Sequence, residues 1–333
     1  MNMQPQGGQE PTLPKKDLWQ DRRQIGIPML AIGFIFIGGT VLQILLAYLI
    51  ARFAPGFSDS YWYSWVLSML PMYLITMPLS LLFYRAVPRQ EIPRREIPFP
   101  IWLCTLSLCF GLTYLGSIVG NILNSVIASL SGEVPENALQ TVTEQSPTWI
   151  ILLFVGILAP ILEEIFFRKL LIERLCVYGD LPAVLISGIL FGLMHGNFYQ
   201  FFYAASLGIV MGYVYIRTGK LRYTIALHMS INIVGSVYTS EMLKKLDLTL
   251  LEQNPTLGFF SCFGGISMMA AYYVFLGLVV ISLPFAIFFL RKRIRMRRGA
   301  RRLTAQEWVR VLLFNPATWC VAVIASLLFF FGL

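Results

Sequence analysis

The sequence has few charged residues and only two histidines. Asp, Glu, Lys and Arg make up 13% of its 333 residues, whereas 57% are hydrophobic, and an average soluble domain is about 25% charged. This composition excludes an ordinary water-soluble domain. The long apolar runs lack the two-residue alternation of membrane strands, so membrane-spanning helices remain as the way to satisfy backbone hydrogen bonds in lipid.

Several chemical motifs are also missing. The five cysteines show no CxxC spacing, which argues against a disulfide framework and a zinc knuckle. There is no glycine-rich phosphate loop, no HExxH zinc motif, and no serine or cysteine in a nucleophile elbow. The first 23 residues are polar and proline-rich, and they lack the apolar core of a cleavable signal peptide.

The apolar runs predict an all-α, polytopic transmembrane bundle of about eight or nine spans. A helix needs ~20 residues to cross the hydrocarbon core. On that basis we place nine spans at 26–50, 61–84, 100–130, 149–175, 182–196, 200–216, 223–242, 259–290 and 309–332. The fifth and sixth are short, which suggests an abbreviated pair of helices packed inside the protein.

The positive charges predict the orientation in the membrane. Three loops rich in Lys and Arg, at 85–96, 217–222 and 291–302, fall on the side of the basic amino terminus, whereas the loops at 51–60 and 131–147 contain one arginine. The amino terminus is therefore expected in the cytoplasm. These loops explain the net charge of +9 without a nucleic-acid partner. The 291–302 block should attract anionic lipid headgroups, at ~1 kcal/mol per residue.

A few strongly polar side chains remain inside the predicted spans. Ionisable groups at such depth are costly, ~2.5–3.5 kcal/mol each on insertion scales, and they mark a functional site by default. They are Glu163, Glu164 and Arg168 in the fourth span, His195 at the end of the fifth, and His228 and Asn232 in the seventh. Glu164 and Arg168 are four residues apart and can pair on one helix face, but Glu163 lies about 100° further round the helix without a partner.

These groups are suited to amide hydrolysis by an activated water. A carboxylate in a low-dielectric pocket can act as a general base, and a neighbouring imidazole can share the water. His228 and Asn232 project from one helix face, where an imidazole and an amide can donate hydrogen bonds to an oxyanion. Pro160 removes a backbone hydrogen bond one turn before the glutamates and loosens that helix.

Three motifs occur in order on successive predicted helices: EExxxR at 163–168, FxxxH at 191–195, and HxxxN at 228–232. Through them the chain resembles the CPBP family of intramembrane proteases, which includes the type II CAAX prenyl endopeptidases and bacteriocin-processing proteins. The resemblance covers roughly residues 100–245. It divides the chain into a cytoplasmic N-terminal arm at 1–25, flanking transmembrane helices at 26–99, a CPBP-like catalytic core at 100–245, and C-terminal transmembrane helices with a basic cytoplasmic loop at 246–333.

The resemblance implies an endopeptidase with a water-filled cavity. Glu163 and His195 would activate the water, and His228 and Asn232 would form the oxyanion site. No cofactor and no metal are implied. The expected partners are a peptide or membrane-protein substrate, which can be lipidated, and membrane lipids. If the site residues meet, the spacing of the histidines places the cavity opening in the cytoplasmic half.

The same resemblance assigns supporting roles to Glu164, Arg168 and Phe191, which would orient the catalytic groups. It also implies an integral membrane protein, in the plasma membrane if the source is bacterial. Three other interpretations stay open: a zinc protease using two histidines and a glutamate, a non-enzymatic scaffold or immunity protein, and a transporter with a proton relay. Metal analysis of the purified protein tests the zinc interpretation. The complete motif set argues for activity and against a scaffold, and a transporter would be expected to show inverted repeats.

Overall fold

The computed structural model describes residues 17–135 and 137–331, so most of the predicted arm at 1–25 lies outside the described residues. The longer helices are α1 (Leu18–Phe53), α2 (Trp62–Arg85), α3 (Phe99–Ser131), α5 (Thr148–Tyr178), α6 (Asp180–Leu193), α7 (Phe198–Thr218) and α11 (Phe263–Arg291). α8 runs without a break through Leu221–Asn232, Ile233–Tyr238 and Thr239–Lys244. Shorter helices are α4 (Ala138–Glu144), α9 (Leu248–Gln253), α10 (Pro255–Ser261), α12 (Ala305–Leu313) and α13 (Pro316–Phe331).

The all-α polytopic fold is confirmed, but the number of spans is smaller than predicted. Among the described residues, six helices are long and apolar enough to cross a membrane, and the number is seven if the pair α12 and α13, bent by 66°, forms one span. α6 has only 14 residues, or about 21 Å at 1.5 Å per residue, which is shorter than the hydrocarbon core. α8 is long enough but too polar to join this set, because it carries part of the polar site.

α5 is the most enclosed of these six helices. Of its most apolar 18-residue stretch 56% is buried inside the protein, against 11% for α11. Its side chains from Phe166 to Ile172 contribute heavily to the hydrophobic core. α11 therefore lies at the periphery, and the glutamates of α5 lie at the centre of the bundle.

α6 and α7 form a close antiparallel hairpin that turns at residues 194–197. A Cβ atom on Gly208 of α7 would lie 2.8 Å from the Cα atom of Gly188 on α6, so only glycine allows this approach. The hairpin also approaches α3 closely: a Cβ atom on Gly120 of α3 would lie 2.4 Å from the carbonyl oxygen of Phe198, the first residue of α7. The hairpin turn is therefore held firmly against α3.

Candidate active site

The predicted ion pair within α5 forms at the centre of the bundle. Arg168 donates from Nε to Glu164 Oε2 at 2.9 Å and from Nη2 to Glu164 Oε1 at 3.1 Å, and both side chains are fully buried. Its Nη1 donates to Ser187 Oγ on α6 at 2.9 Å. The guanidinium group also lies over the ring of Phe191, 5.0 Å from its centroid. The pair thus joins α5 to α6, and the supporting role expected for these residues stays a prediction.

Glu163 is buried, with 7% of its surface exposed, and it does not face lipid. Its partner comes from a helix that showed no sign of belonging to the site: the hydroxyl of Tyr73 on α2 donates a hydrogen bond to Glu163 Oε1. Its other oxygen lies 3.8 Å from His228 Nε2. The carboxylate that had no partner within its own helix therefore finds its partners on α2 and α8.

His228 lies between the two glutamates. Its Nδ1 is 3.3 Å from Glu164 Oε1, and its Nε2 is 3.8 Å from Glu163 Oε2. The first distance is a long hydrogen bond, whereas the second exceeds hydrogen-bonding range. Because Nδ1 faces a carboxylate and carries a hydrogen, Nε2 can donate to a further acceptor only when the ring is in its imidazolium form.

His195 lies in the turn after α6, since that helix ends at Leu193. Its Nδ1 is 2.9 Å from the carbonyl oxygen of Phe191. A carbonyl only accepts, so Nδ1 carries the hydrogen, and a neutral ring then has its lone pair on Nε2. The rings of His195 and His228 lie 5.1 and 5.5 Å from the Phe191 ring, centroid to centroid. Phe191 therefore holds both imidazoles in one region, although no described contact joins His195 directly to Glu163.

Asn232 occupies a position that the irregular backbone of α5 explains. The segment Leu152–Leu158 is a π-helix, in which each carbonyl bonds to the N–H five residues later. For Val155 that residue is Pro160, which has no N–H. Asn232 Nδ2 donates to the Val155 oxygen instead, at 2.9 Å. One amide hydrogen of Asn232 is thus used to tie α8 to α5, and the second is left for another acceptor.

A polar cavity of about 820 Å³ has Asn232 in its lining, whereas Glu163, His195 and His228 do not line it. Asn232 and Tyr203 line its inner part, and Asn137, Gln140 and Glu144 line the part near α4. The expected opening, if the site residues meet, was in the cytoplasmic half, where the basic loops are predicted to lie, whereas this cavity reaches α4, at the end of the bundle opposite those loops. The physical reason is the short α6: the hairpin turns at 194–197, part-way through the bundle, and leaves space beyond the turn.

Sequence reasoning did not find Tyr73, Ser187 and Tyr203. A tyrosine or serine in an apolar run is common, and only the packing of the helices shows which of them contacts an ionised group. One signal was present: Pro71 interrupts the second predicted span, and Tyr73 lies in the resulting π-helix, Leu70–Thr76. Tyr203 hydrogen-bonds Gln200 at 2.9 Å and lies near His195, with ring centroids 6.4 Å apart.

The zinc interpretation requires at least three ligand groups around one point. Among the described residues no three His, Cys, Asp or Glu side chains are arranged to hold a metal ion. Glu164, which could have served with the histidines, is bonded to Arg168.

Comparison with known proteins shows where these motifs recur. The family described as type II CAAX prenyl endopeptidase Rce1-like matches residues 145–234, which contain all three motifs but not Tyr73. The chain is 25% identical over 173 residues to the putative membrane peptidase YdiL of Bacillus subtilis (strain 168), covering 48% of this chain and 66% of the relative.

It is also 29% identical over 106 residues to the membrane-embedded CAAX protease MroQ of Staphylococcus aureus (strain USA300), covering 29% of this chain and 43% of the relative. The chain thus spans less than two thirds of the length of either relative. No solved structure matches.

Proposed function

Because the chain belongs to the CPBP family of membrane peptidases, we propose that it is a membrane-embedded endopeptidase. It hydrolyses a peptide bond of a membrane-associated substrate with a water molecule. The observation that carries the proposal is the convergence of Glu163, His228 and Tyr73 from three different helices. The ring of His228 in turn packs against Phe191. A purely structural ion pair needs only Glu164 and Arg168, and it does not explain why the Glu163 carboxylate is buried as well.

Glu163 acts as the general base in this proposal, together with His195. The hydrogen bond from Tyr73 orients the carboxylate, and the lone pair on His195 Nε2 accepts from the same water. The water oxygen then bonds to the carbonyl carbon while its proton passes to Glu163. That proton is later delivered to the leaving nitrogen as the carbon–nitrogen bond breaks, so the carboxylate returns to its starting form.

His228 and Asn232 stabilise the oxyanion. Each has one donor that described contacts do not consume: the second amide hydrogen of Asn232, and the Nε2–H of His228 in its imidazolium form, 3.8 Å from the nearest oxygen of Glu163. The imidazolium form is required because Nδ1 already faces the Glu164 carboxylate. Donors aimed at the developing charge contribute about 10²–10³ in kcat each in well-studied acyl-transfer enzymes. Glu164 and Arg168 position these groups, because Arg168 also donates a hydrogen bond to Ser187 on α6.

The substrate reaches the site through the polar cavity near α4. Its amide and hydroxyl lining fits an extended peptide, whose backbone groups need hydrogen-bond partners inside a membrane. We propose a peptide or membrane-protein segment as the substrate, with a lipidated one among the candidates because MroQ is named a CAAX protease. The proposed catalytic unit includes α2 as well as residues 100–245, since α2 supplies Tyr73. A cytoplasmic amino terminus stays part of the proposal.

The test compares Glu163→Gln with a control in the same cavity. Replacing the base should lower peptide cleavage by about 10²–10⁴-fold, the usual contribution of general-base catalysis, while the protein stays folded. Glu144→Gln alters an exposed carboxylate that lines the outer cavity and should leave cleavage unchanged.

Membrane peptides from cells carrying the wild type or either variant are compared by mass spectrometry to identify the uncut substrate. Purified proteins in liposomes are then assayed on that peptide. Full activity of the Glu163→Gln protein would show that another group is the base. Equal loss in both variants would point to a general effect on the cavity.

A further inference from the structure

A second cleft, of about 880 Å³, lies away from the proposed active site. It is formed by the first half of α3, the end of α7 and the end of α11, close to the three basic loops. Its walls are largely apolar: Ile101, Leu108, Ile209, Val210, Phe288 and Phe289. No residue of the proposed catalytic site lines this cleft, so its occupant is a separate question.

Four cations stand at the mouth of the cleft. Arg217, Lys292, Arg293 and Arg295 line it, and none forms an ion pair with an acidic side chain among the described residues. Their contacts are with backbone and aromatic rings. Arg217 Nη1 donates to the Arg295 carbonyl at 3.4 Å, and the Arg293 guanidinium lies 4.6 Å from the centroid of the Phe289 ring.

Two other arginines of the basic segment 291–302 are neutralised by ion pairs. Arg297 pairs with Asp180 at 3.2 Å, and Arg301 pairs with the buried Asp21 at the start of α1. These two ion pairs hold the segment against the bundle and fix the position of the residues before it. Within 291–302, Arg297 and Arg301 therefore have a structural role, whereas Arg293 and Arg295 lie at the cleft.

The one acidic residue lining the cleft is already neutralised. Glu96 accepts hydrogen bonds from Lys220 and Arg222. These hydrogen bonds, of which the one from Lys220 has the largest effect, lower the pKa of the exposed Glu96 carboxyl to about 2. Glu96 thus stays ionised and bound to its own two cations, and it does not compensate the four at the mouth. The cleft presents excess positive charge beside an apolar interior.

This combination fits an amphiphile with an anionic phosphate head. Basic pockets between membrane helices are suited to phospholipid headgroups, and arginine binds phosphate oxygens in a bidentate way. We propose that the cleft is a binding site for an anionic phospholipid. Its phosphate lies among Arg217, Arg293 and Arg295, and an acyl chain lies between α3, α7 and α11 along Val210. The site is independent of the proposed peptidase chemistry.

The experiment uses the purified full chain in a neutral detergent. Phosphatidylglycerol or phosphatidylcholine with identical acyl chains is added, and affinity is measured by native mass spectrometry and by the shift in Tm. Arg293→Gln/Arg295→Gln is compared with Arg298→Gln/Arg302→Gln. The second pair removes the same charge from exposed side chains of the same segment that do not line the cleft.

We expect the wild type to prefer phosphatidylglycerol. The Arg293→Gln/Arg295→Gln variant should bind it about 30-fold more weakly, since each basic residue contributes ~1 kcal/mol. The Arg298→Gln/Arg302→Gln variant should bind like the wild type. Equal weakening in both double variants would mean that only the overall charge attracts the lipid, and it would overturn the proposed site.

Two further arms test the acyl chain and the source of the phosphate. Val210→Phe fills the cleft without changing charge and should reduce phosphatidylglycerol binding, provided that the variant elutes as the folded protein. Unchanged binding would place the lipid outside the cleft. Inorganic phosphate should not compete with the lipid at equal concentration, and effective competition would mean that the arginines form a site for free phosphate.

Discussion

Replacement of Arg168 by methionine tests the buried ion pair quantitatively. The substitution removes two hydrogen bonds to Glu164 and one to Ser187, and it leaves a fully buried carboxylate without its counter-charge. Removing one partner of a buried pair costs about 3–5 kcal/mol. The nearby His228 Nδ1, 3.3 Å from Glu164, compensates only part of that charge, so the expected loss lies within this range.

The double variant Glu164→Gln/Arg168→Met measures the interaction between the two side chains apart from the effect of losing each one. With both charges gone, no ion is left buried, and the double variant should lose less stability than the sum of the two single variants. The difference should be about 0.5–3 kcal/mol, the range for residues in direct contact. Lys169→Met is the matched control, because the neighbouring side chain is exposed and should change stability by less than about 0.5 kcal/mol.

The assay is the free energy of unfolding of each purified protein in mixed micelles, measured by denaturant titration and circular dichroism. A loss below about 1 kcal/mol for Arg168→Met would refute the reasoning, because a buried carboxylate cannot lose its counter-charge so cheaply. Strictly additive effects in the double variant would refute it as well, since they would show that the two side chains do not interact.

Two smaller changes test the surroundings of the site. Tyr73→Phe removes a buried hydrogen bond to a carboxylate, worth about 1.5–3 kcal/mol, and should lower kcat about 10–100-fold with little change in KM. Tyr84→Phe is its control, because the buried Tyr84 hydroxyl on the same helix has no hydrogen-bond partner among the described residues, and equal effects in steady-state cleavage assays would contradict the role of Tyr73. Gly120→Ala should destabilise the protein by about 1–3 kcal/mol through overpacking against a carbonyl oxygen 2.4 Å away. Gly235→Ala, with open space around it, should be neutral or stabilising in the same denaturant titration, and the reverse order of stability would disprove the close contact.

The helices that carry the site depart from regular α-helical geometry near it. α2 is a π-helix at Leu70–Thr76 around Tyr73, and α5 has π-helical segments on both sides of the two glutamates, at Leu152–Leu158 and Ile165–Ile172. α8 becomes π-helical at Ile233–Tyr238, directly after Asn232. Such segments often accompany functional sites, because they turn side chains and free carbonyls that a regular helix would not present.

The hydrogen bond that Asn232 donates to the Val155 carbonyl oxygen shows how the π-helical segment of α5 is stabilised. A free carbonyl inside a membrane costs several kcal/mol, and Asn232 satisfies it from a neighbouring helix. The HxxxN motif therefore has a structural contribution besides its proposed catalytic one. This is the kind of dual role that a motif match alone does not separate.

The sequence by itself determined what depends on neighbours along the chain. Apolar runs determined that the fold is all-α and membrane-spanning, and a spacing of four residues determined that Glu164 and Arg168 pair on one face. It predicted more spans than the six or seven helices of the described residues that are long and apolar enough, because counting apolar runs includes the polar α8 and the 14-residue α6. The orientation predicted from the basic loops stays a prediction.

Only the tertiary structure decided which groups from different helices meet. It placed Tyr73 on Glu163, set His228 between the two carboxylates, and located the polar cavity at the end near α4. Periodicity describes the angular position of a residue around its own helix axis, whereas contacts between helices depend on their relative depth, tilt and rotation. Those quantities are set by close packing, for which glycines such as Gly188 and Gly208 give no pairwise signal in a single sequence.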